Sequence, residues 1–201
     1  LDSDKMLIES FRTLYKLYKP DFECDDSYIL EFSGPPIRES LMHEFPDQDA
    51  DFMLKEWQKY SVTNYEKYTR LFKGARELLK SLEEKGIKFG IITNKSRKAT
   101  DFSFKLTGIN DMNLFSICAD EMEHLKPAPD SVFKAMKYFG IEDKTEVLYI
   151  GDTDFDYFTA KNAGVNFGFV SWSPRALPKD AKVDVLIKDF ESWSKDIKWK
   201  K

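Results

Sequence analysis

The sequence predicts an α/β protein, a three-layer α/β/α sandwich around a parallel sheet, with an all-helical segment ahead of it. Three observations carry this expectation. From residue 73 onward, helical patterns alternate with short apolar runs, and a glycine closes each helix. Residues 4–72 hold apolar positions at helical spacing but no strand-like run. The apolar run Val147-Leu148-Tyr149-Ile150 leads straight into Gly151-Asp152-Thr153-Asp154-Phe155-Asp156. Carboxylates delivered at a strand end lie where open α/β sheets bind ligands, because loops and helix N-termini converge there.

The elements follow in order. Leu7, Phe11, Leu14, Tyr15 and Tyr18 form one helical face, and Met53, Trp57 and Tyr60 another. The rings of Trp57, Tyr60, Tyr65 and Tyr68 read as core. Leu78, Leu79 and Leu82 mark a helix that Gly86 stops before a strand over Ile87–Thr93. Phe102 and Leu106 mark the next helix, ended by Gly108 ahead of a strand over 115–119. Val132, Phe133, Met136 and Phe139 precede Gly140 and the strand at 147–150, and a helix through Phe158 and Ala163 ends at Gly164 before Phe167–Val170. Val183–Ile187 reads as a last short strand, with a final helix around Phe190–Trp199. Recurrent helix–glycine–strand units make a parallel, Rossmann-like sandwich.

Composition narrows the function. A chain of 201 residues with 42% hydrophobic and 33% charged residues is globular, with room for one solid core and a modest second unit. A net charge of −4 with dispersed cations gives no footprint for nucleic acid, and the terminal Lys198-Trp199-Lys200-Lys201 reads as a solvated tail. No apolar run reaches membrane-spanning length and no signal peptide is visible. Cys24 and Cys118 are isolated, as expected of free thiols in a reducing, cytoplasmic setting. His43 and His124 are the only histidines, and they offer no credible zinc cluster and no Ser-His-Asp arrangement.

Three segments combine into a site. Phe89-Gly90-Ile91-Ile92-Thr93-Asn94-Lys95 is an apolar strand ending in a hydroxyl, an amide and a cation before a helix, where N–H donors and the helix dipole hold a phosphoryl group. Leu125-Lys126-Pro127-Ala128-Pro129-Asp130 places a lysine in a proline-restricted approach to a helix beginning near Ser131. Asp152 and Asp156 supply oxygen ligands suited to Mg²⁺, a hard cation that takes one or two carboxylates and leaves room for water and substrate phosphate. The same acidic loop also suits the capping of the following helix. Together the segments offer donors for phosphoryl oxygens, a fixed positive charge and a metal site, which is what phosphoryl transfer needs.

With Thr93-Asn94-Lys95, Lys126-Pro127-x-Pro129-Asp130 and Gly151-Asp152-x-x-x-Asp156 in this order, the chain resembles the haloacid dehalogenase-like (HAD) hydrolases, in their phosphoglycolate phosphatase-like branch. The resemblance implies a Mg²⁺-dependent phosphatase that hydrolyses a small phosphate monoester through an aspartyl-phosphate. It implies a helical cap of the C1 type over residues 4–72 and an α/β core over 1–3 and 73–201. Thr93 and the Asn94 N–H would hold phosphoryl oxygens, Lys126 would neutralise the nucleophile, Asp152 would bind Mg²⁺, and Asp156 would bind it or orient its ligands. The cap loop Ser33-Gly34-Pro35-Pro36-Ile37-Arg38-Glu39 would project into the site and bring Arg38 to the substrate. The family's nucleophile lies in an Asp-x-Asp motif on a central strand, and Leu1-Asp2-Ser3 resembles the end of that motif, so about a dozen further residues, roughly one strand and its loop, are expected upstream. Without that strand, residues 1–201 alone would be poorly stable. A phosphosugar mutase and a relative without the nucleophile remain alternatives, a dehalogenase is disfavoured by the metal site, and the expected partner is a small phosphorylated metabolite bound by a monomer or homodimer.

Overall fold

The computed structural model describes residues 1–196. Helix α1 (Asp4–Tyr18) buries Leu7, Phe11, Leu14 and Tyr15, the face its spacing predicts. It is followed by α2 (Asp26–Leu30), α3 (Ile37–Glu44) and α4 (Ala50–Tyr68). Asp49 caps α4 by accepting the Phe52 N–H at 2.8 Å. Around Phe11, which has no exposed surface, sit Leu14, Ile29, Leu41, Met53 and Trp57, the core of this helical segment. The Phe11 ring centroid lies 4.8 Å from that of Phe32 and 5.1 Å from that of Trp57. The sequence reading has no counterpart for α2 or α3. Both are short, and α3 starts directly after Pro36, so Ile37, Arg38 and Glu39 are helical rather than part of a projecting loop.

The second part runs α5 (Ala75–Glu84), β1 (Gly90–Ile92), α6 (Arg97–Thr107), β2 (Phe115–Ile117), α7 (Asp130–Phe139), β3 (Leu148–Gly151), α8 (Asp154–Ala163), β4 (Asn166–Val170), β5 (Val185–Ile187) and α9 (Phe190–Asp196). Gly108, Gly140 and Gly164 end α6, α7 and α8 as expected. The expected continuation of the last helix to Trp199, and the basic tail, lie outside the described residues. All ladders are parallel. Ile91 pairs with Ser116, Ile150 with Gly168, and Gly168 with Val185. The strands are shorter than their apolar runs; β1, for example, occupies three residues of the Ile87–Thr93 run. The sheet is in two pieces, β1–β2 and β3–β4–β5, with no ladder between β1 and β3 among the described residues. This is the place where the sequence reading puts a central strand. The two pieces nevertheless share a core, since Ile92 packs against the cluster of Val132, Met136, Tyr149, Tyr157 and Phe167.

The helical segment leaves and rejoins the α/β part at one point. Asp2 and Arg70 exchange backbone hydrogen bonds of 2.9 and 3.0 Å, so the two connecting strands of chain lie side by side. Tyr65 of α4 meets Phe102 of α6 edge-on, with 6.1 Å between centroids. Cys118 is buried, Cys24 half-buried, and neither is in a disulfide.

One charge is enclosed within the helical segment. The Glu44 side chain is 2% exposed and accepts hydrogen bonds from the hydroxyls of Tyr15 at 2.8 Å and Tyr28 at 2.7 Å. Burial pushes its carboxyl up, but the two hydroxyls and Lys19 more than offset this and hold it below the ordinary value. A depressed carboxyl contributes stability above the ordinary carboxylate range, and that contribution is lost as pH falls through its folded value. Glu44→Ala should lower stability by about 2–4 kcal/mol in urea unfolding at pH 7, because it leaves two enclosed hydroxyls without an acceptor. The same variant should show a shallower loss of stability below pH 5 than the parent.

Candidate active site

The site lies at the C-terminal ends of β1 and β3, and the local sequence explains its shape. Strand β3 ends in Gly151, where any side chain would collide with Asp156: an added Cβ would stand 2.2 Å from the Asp156 Cβ. Glycine there lets α8 begin immediately. Thr153 caps that helix by accepting the Asp156 N–H at 3.2 Å, and Asp156 Oδ2 accepts in return from the Thr153 N–H at 3.2 Å, the Thr153 hydroxyl at 2.8 Å and the Asp152 N–H at 3.1 Å. The helix-capping alternative for this loop is therefore realised, by Thr153 and Asp156 together. Asp154 stays exposed and accepts from the Phe155 N–H at 2.9 Å.

Asp156 has a second partner. Its Oδ1 accepts from the Lys126 ammonium at 2.7 Å, with the two side chains 8% and 10% exposed. Burial alone would raise the Asp156 carboxyl, but Lys126 beside it holds it below the ordinary value. Burial likewise pulls the Lys126 ammonium down, and Asp156 overrides this and keeps it well above the ordinary lysine range. Lys126 is a permanent cation at this spot. Both oxygens of Asp156 are engaged, by Lys126, Thr153 and two backbone N–H groups. Its expected alternative role, orienting the loop that carries Asp152, fits this placement.

Asp152 is different. Its Oδ2 accepts from Arg175 Nη1 at 2.8 Å, and its Oδ1 has no hydrogen bond among the described residues. Burial, reinforced by Asp156, pushes its carboxyl up, partly countered by Arg175 and Lys126. An oxygen left open on a carboxylate that gains from a nearby cation suits a hard metal ion. Among the described residues no group of three His, Cys, Asp or Glu side chains surrounds it.

On the β1 side, Thr93 directly follows the strand, and its N–H donates to Ile117 at 3.0 Å. The Thr93 hydroxyl oxygen accepts the Lys95 N–H at 3.1 Å, leaving its proton to donate elsewhere. The Asn94 side chain is a bridge. Its Nδ2 donates to the Gly34 carbonyl at 2.8 Å and its Oδ1 accepts the Lys126 N–H at 3.2 Å. The Asn94 N–H itself has no acceptor among the described residues.

Gly34 is thus one residue that the helical segment brings to the site. Its φ is +129°, and an added Cβ would stand 3.2 Å from the Phe155 ring and 3.6 Å from the Thr153 hydroxyl. Both the backbone angle and the close approach favour glycine. Arg38 is not brought to this point. It lies in the first turn of α3 and pairs with Asp51 at 2.6 Å, both side chains at least half exposed. Asp130 pairs with His124 at 3.0 Å at the start of α7.

Arg175 is the residue that sequence reasoning missed. It follows β4 and bridges Asp152 to Asp4 of α1, whose Oδ1 lies 2.5 Å from its Nη2. Its side chain is 11% exposed. No motif announces it; the only sequence signal is a lone arginine after an apolar strand, in Ser171-Trp172-Ser173-Pro174-Arg175.

Comparison with known proteins agrees with this architecture. Pyrophosphatase PpaX of Halalkalibacterium halodurans is 28% identical over 175 residues, covering 87% of this chain and 80% of that protein. The fold of a HAD-superfamily hydrolase from Geobacter sulfurreducens superposes with a TM-score of 0.69 at 22% identity, covering 95% of this chain and 88% of that one. CbbY from Rhodobacter sphaeroides, solved with phosphate, superposes with a TM-score of 0.76 at 14% identity, covering 95% and 90%. A family model described as haloacid dehalogenase-like hydrolase matches residues 1–170. With that match running through the helical segment and all three strand-end motifs, the chain belongs to the haloacid dehalogenase-like hydrolase family.

Proposed function

We propose that this protein is a Mg²⁺-dependent phosphatase acting on a small phosphate ester or diphosphate through an aspartyl-phosphate. The observation that carries the reading is the convergence of Thr93, Asn94, Lys126 and Asp152 on one sheet edge, with Lys126 locked in its charged form by Asp156. The pyrophosphatase relatives support it. The Thr93 hydroxyl and the Asn94 N–H donate to the phosphoryl oxygens, replacing water with fixed dipoles. The Lys126 ammonium faces the charge that builds up at the nucleophile and the transferred group. The attacking carboxylate would be that of the Asp-x-Asp motif that the resemblance implies. Asp152 holds the cation through its open oxygen. When bound, Mg²⁺ neutralises phosphoryl charge and makes phosphorus more open to attack.

In this reading residues 4–72 form a cap, tied to the core at Asp2–Arg70 and touching the site through Gly34. The cap excludes water while the intermediate exists. A reducing, cytoplasmic setting accords with the two free cysteines, and no helix among the described residues is long and apolar enough to cross a membrane.

In full-length protein, Asp152→Asn should remain folded and lose Mg²⁺-dependent release of phosphate from an aryl phosphate. Near-parental turnover in this variant would remove Asp152 from the metal site. Lys126→Ala should depress every substrate together, a hundredfold or more, on the order of 2.7–4 kcal/mol, because it removes charge stabilisation at the transition state. Product analysis separates hydrolysis from mutase chemistry: free phosphate supports the proposal, and an isomeric sugar phosphate overturns it.

Asp156→Asn tests the support beneath Lys126. It leaves a buried ammonium without its counter-charge, which should cost about 3–5 kcal/mol of stability at pH 7. Since the Asp156 carboxyl is depressed in the fold, its contribution is complete above the ordinary carboxylate range and fades as pH falls through the folded value. The variant and the parent should therefore converge in stability toward pH 2, measured by urea unfolding across pH.

A further inference from the structure

The lysine loop is held by its backbone. The Lys126 N–H donates to Asn94 Oδ1 at 3.2 Å, the Pro127 carbonyl accepts from Asn162 Nδ2 at 3.0 Å, and the Ala128 N–H donates to the Leu125 carbonyl at 2.9 Å. None of these contacts fixes the ammonium, which stands at the end of a flexible, rotatable stem. At its head, Lys126 pairs with Asp156 Oδ1 at 2.7 Å. A single contact of this kind sets a distance but leaves the ammonium free to pivot about the oxygen.

A second group reaches the same oxygen. The Tyr149 hydroxyl donates to Asp156 Oδ1 at 3.4 Å. Tyr149 lies on β3, is 8% exposed, and belongs to the core cluster with Val132 and Met136 of α7, Tyr157 of α8 and Phe167 of β4. Close packing on these sides keeps the ring in one place. A ring without the oxygen would fill the same space, and a buried hydroxyl is unfavourable unless it is bonded, so packing does not account for it. Burial pushes the Tyr149 ionisation above the ordinary tyrosine range; Lys126 opposes this and Asp156 reinforces it. The hydroxyl therefore keeps its proton and stands as a neutral donor beside two full charges. Lys126 and Tyr149 are each within electrostatic reach of the other.

We propose that Tyr149 is a positioning residue for the phosphatase reaction, whose hydroxyl holds the Lys126 ammonium in one direction through the Asp156 oxygen that both engage. The assignment rests on the phosphatase reading above and adds to it a residue that acts only through Lys126. An ammonium carries three N–H donors. With one on Asp156 and the pivot limited by Tyr149, the other donors keep a constant aim at the phosphoryl position. Charge that develops there then meets a donor that needs no reorganisation.

Tyr149→Phe in full-length protein keeps the ring and removes the oxygen. With Mg²⁺ and an aryl phosphate, kcat should fall about five- to tenfold while KM stays within about threefold, as when one hydrogen bond that matters in the transition state is lost. Circular dichroism reports that the variant remains folded. A merely structural role would lower turnover independently of Lys126. The same substitution is therefore repeated in Lys126→Ala, where it should change the residual turnover by less than about twofold. A second readout does not depend on turnover. In protein carrying isotope-labelled lysine, the Lys126 ammonium resonance, assigned through Lys126→Arg, should shift and exchange faster with solvent in Tyr149→Phe than in the parent. A folded Tyr149→Phe with kcat within about twofold of the parent, an equal loss in both backgrounds, or an unchanged Lys126 resonance overturns the proposal. Failure of the phosphatase reading would show separately, as a parent that releases no phosphate from any ester, and the resonance would still report whether Tyr149 holds Lys126.

Discussion

The buried pair of Lys126 and Asp156 is the interaction on which the rest of the site depends. Two charges removed from water are tolerated only when each is fully satisfied. Asp156 meets that condition by accepting from Lys126, the Thr153 hydroxyl, and the N–H groups of Asp152 and Thr153. One carboxylate thereby ties the loop after β3, the first turn of α8 and the lysine loop to a common point. The neighbouring Asp152 is less engaged, with Arg175 on one oxygen.

Two further contacts connect this centre to the helical segment. Asn94 joins the Gly34 carbonyl to the Lys126 backbone, and Arg175 joins Asp152 to Asp4 at the start of α1. A displacement of the helical segment would pull on both the lysine loop and the aspartate loop. The Asp2–Arg70 pair holds the two connecting stretches together. The helical segment has a separate aromatic core around Phe11 and its own enclosed charge at Glu44.

Much of this was legible in the residues. Period and punctuation were enough for the α/β alternation, since apolar positions at helical spacing, glycine terminators and short apolar runs each report a local preference. Thr93, Asn94 and Asp152 stand beside strand ends, a position that sequence reveals, and Lys126 stands in the proline-restricted loop before α7. The helices α2 and α3 were not, being too short for a periodic signal to accumulate. The strands came out shorter than their apolar runs, because a ladder needs a partner, and β1 and β3 each have only one among the described residues.

What the sequence by itself determined is therefore local: which segments are helical or extended, where each ends, and which polar groups stand at strand termini. Only the tertiary structure decided how those groups are shared. It placed both oxygens of Asp156 on Lys126 and the loop, turned Arg38 to Asp51, and brought Gly34 rather than an arginine to the site. It also recruited Arg175, which lies 23 positions from Asp152 and 171 from Asp4 along the chain. The physical reason is that a hydrogen bond or ion pair depends on distance and on what else competes for the same atom, and neither is written in the spacing of residues.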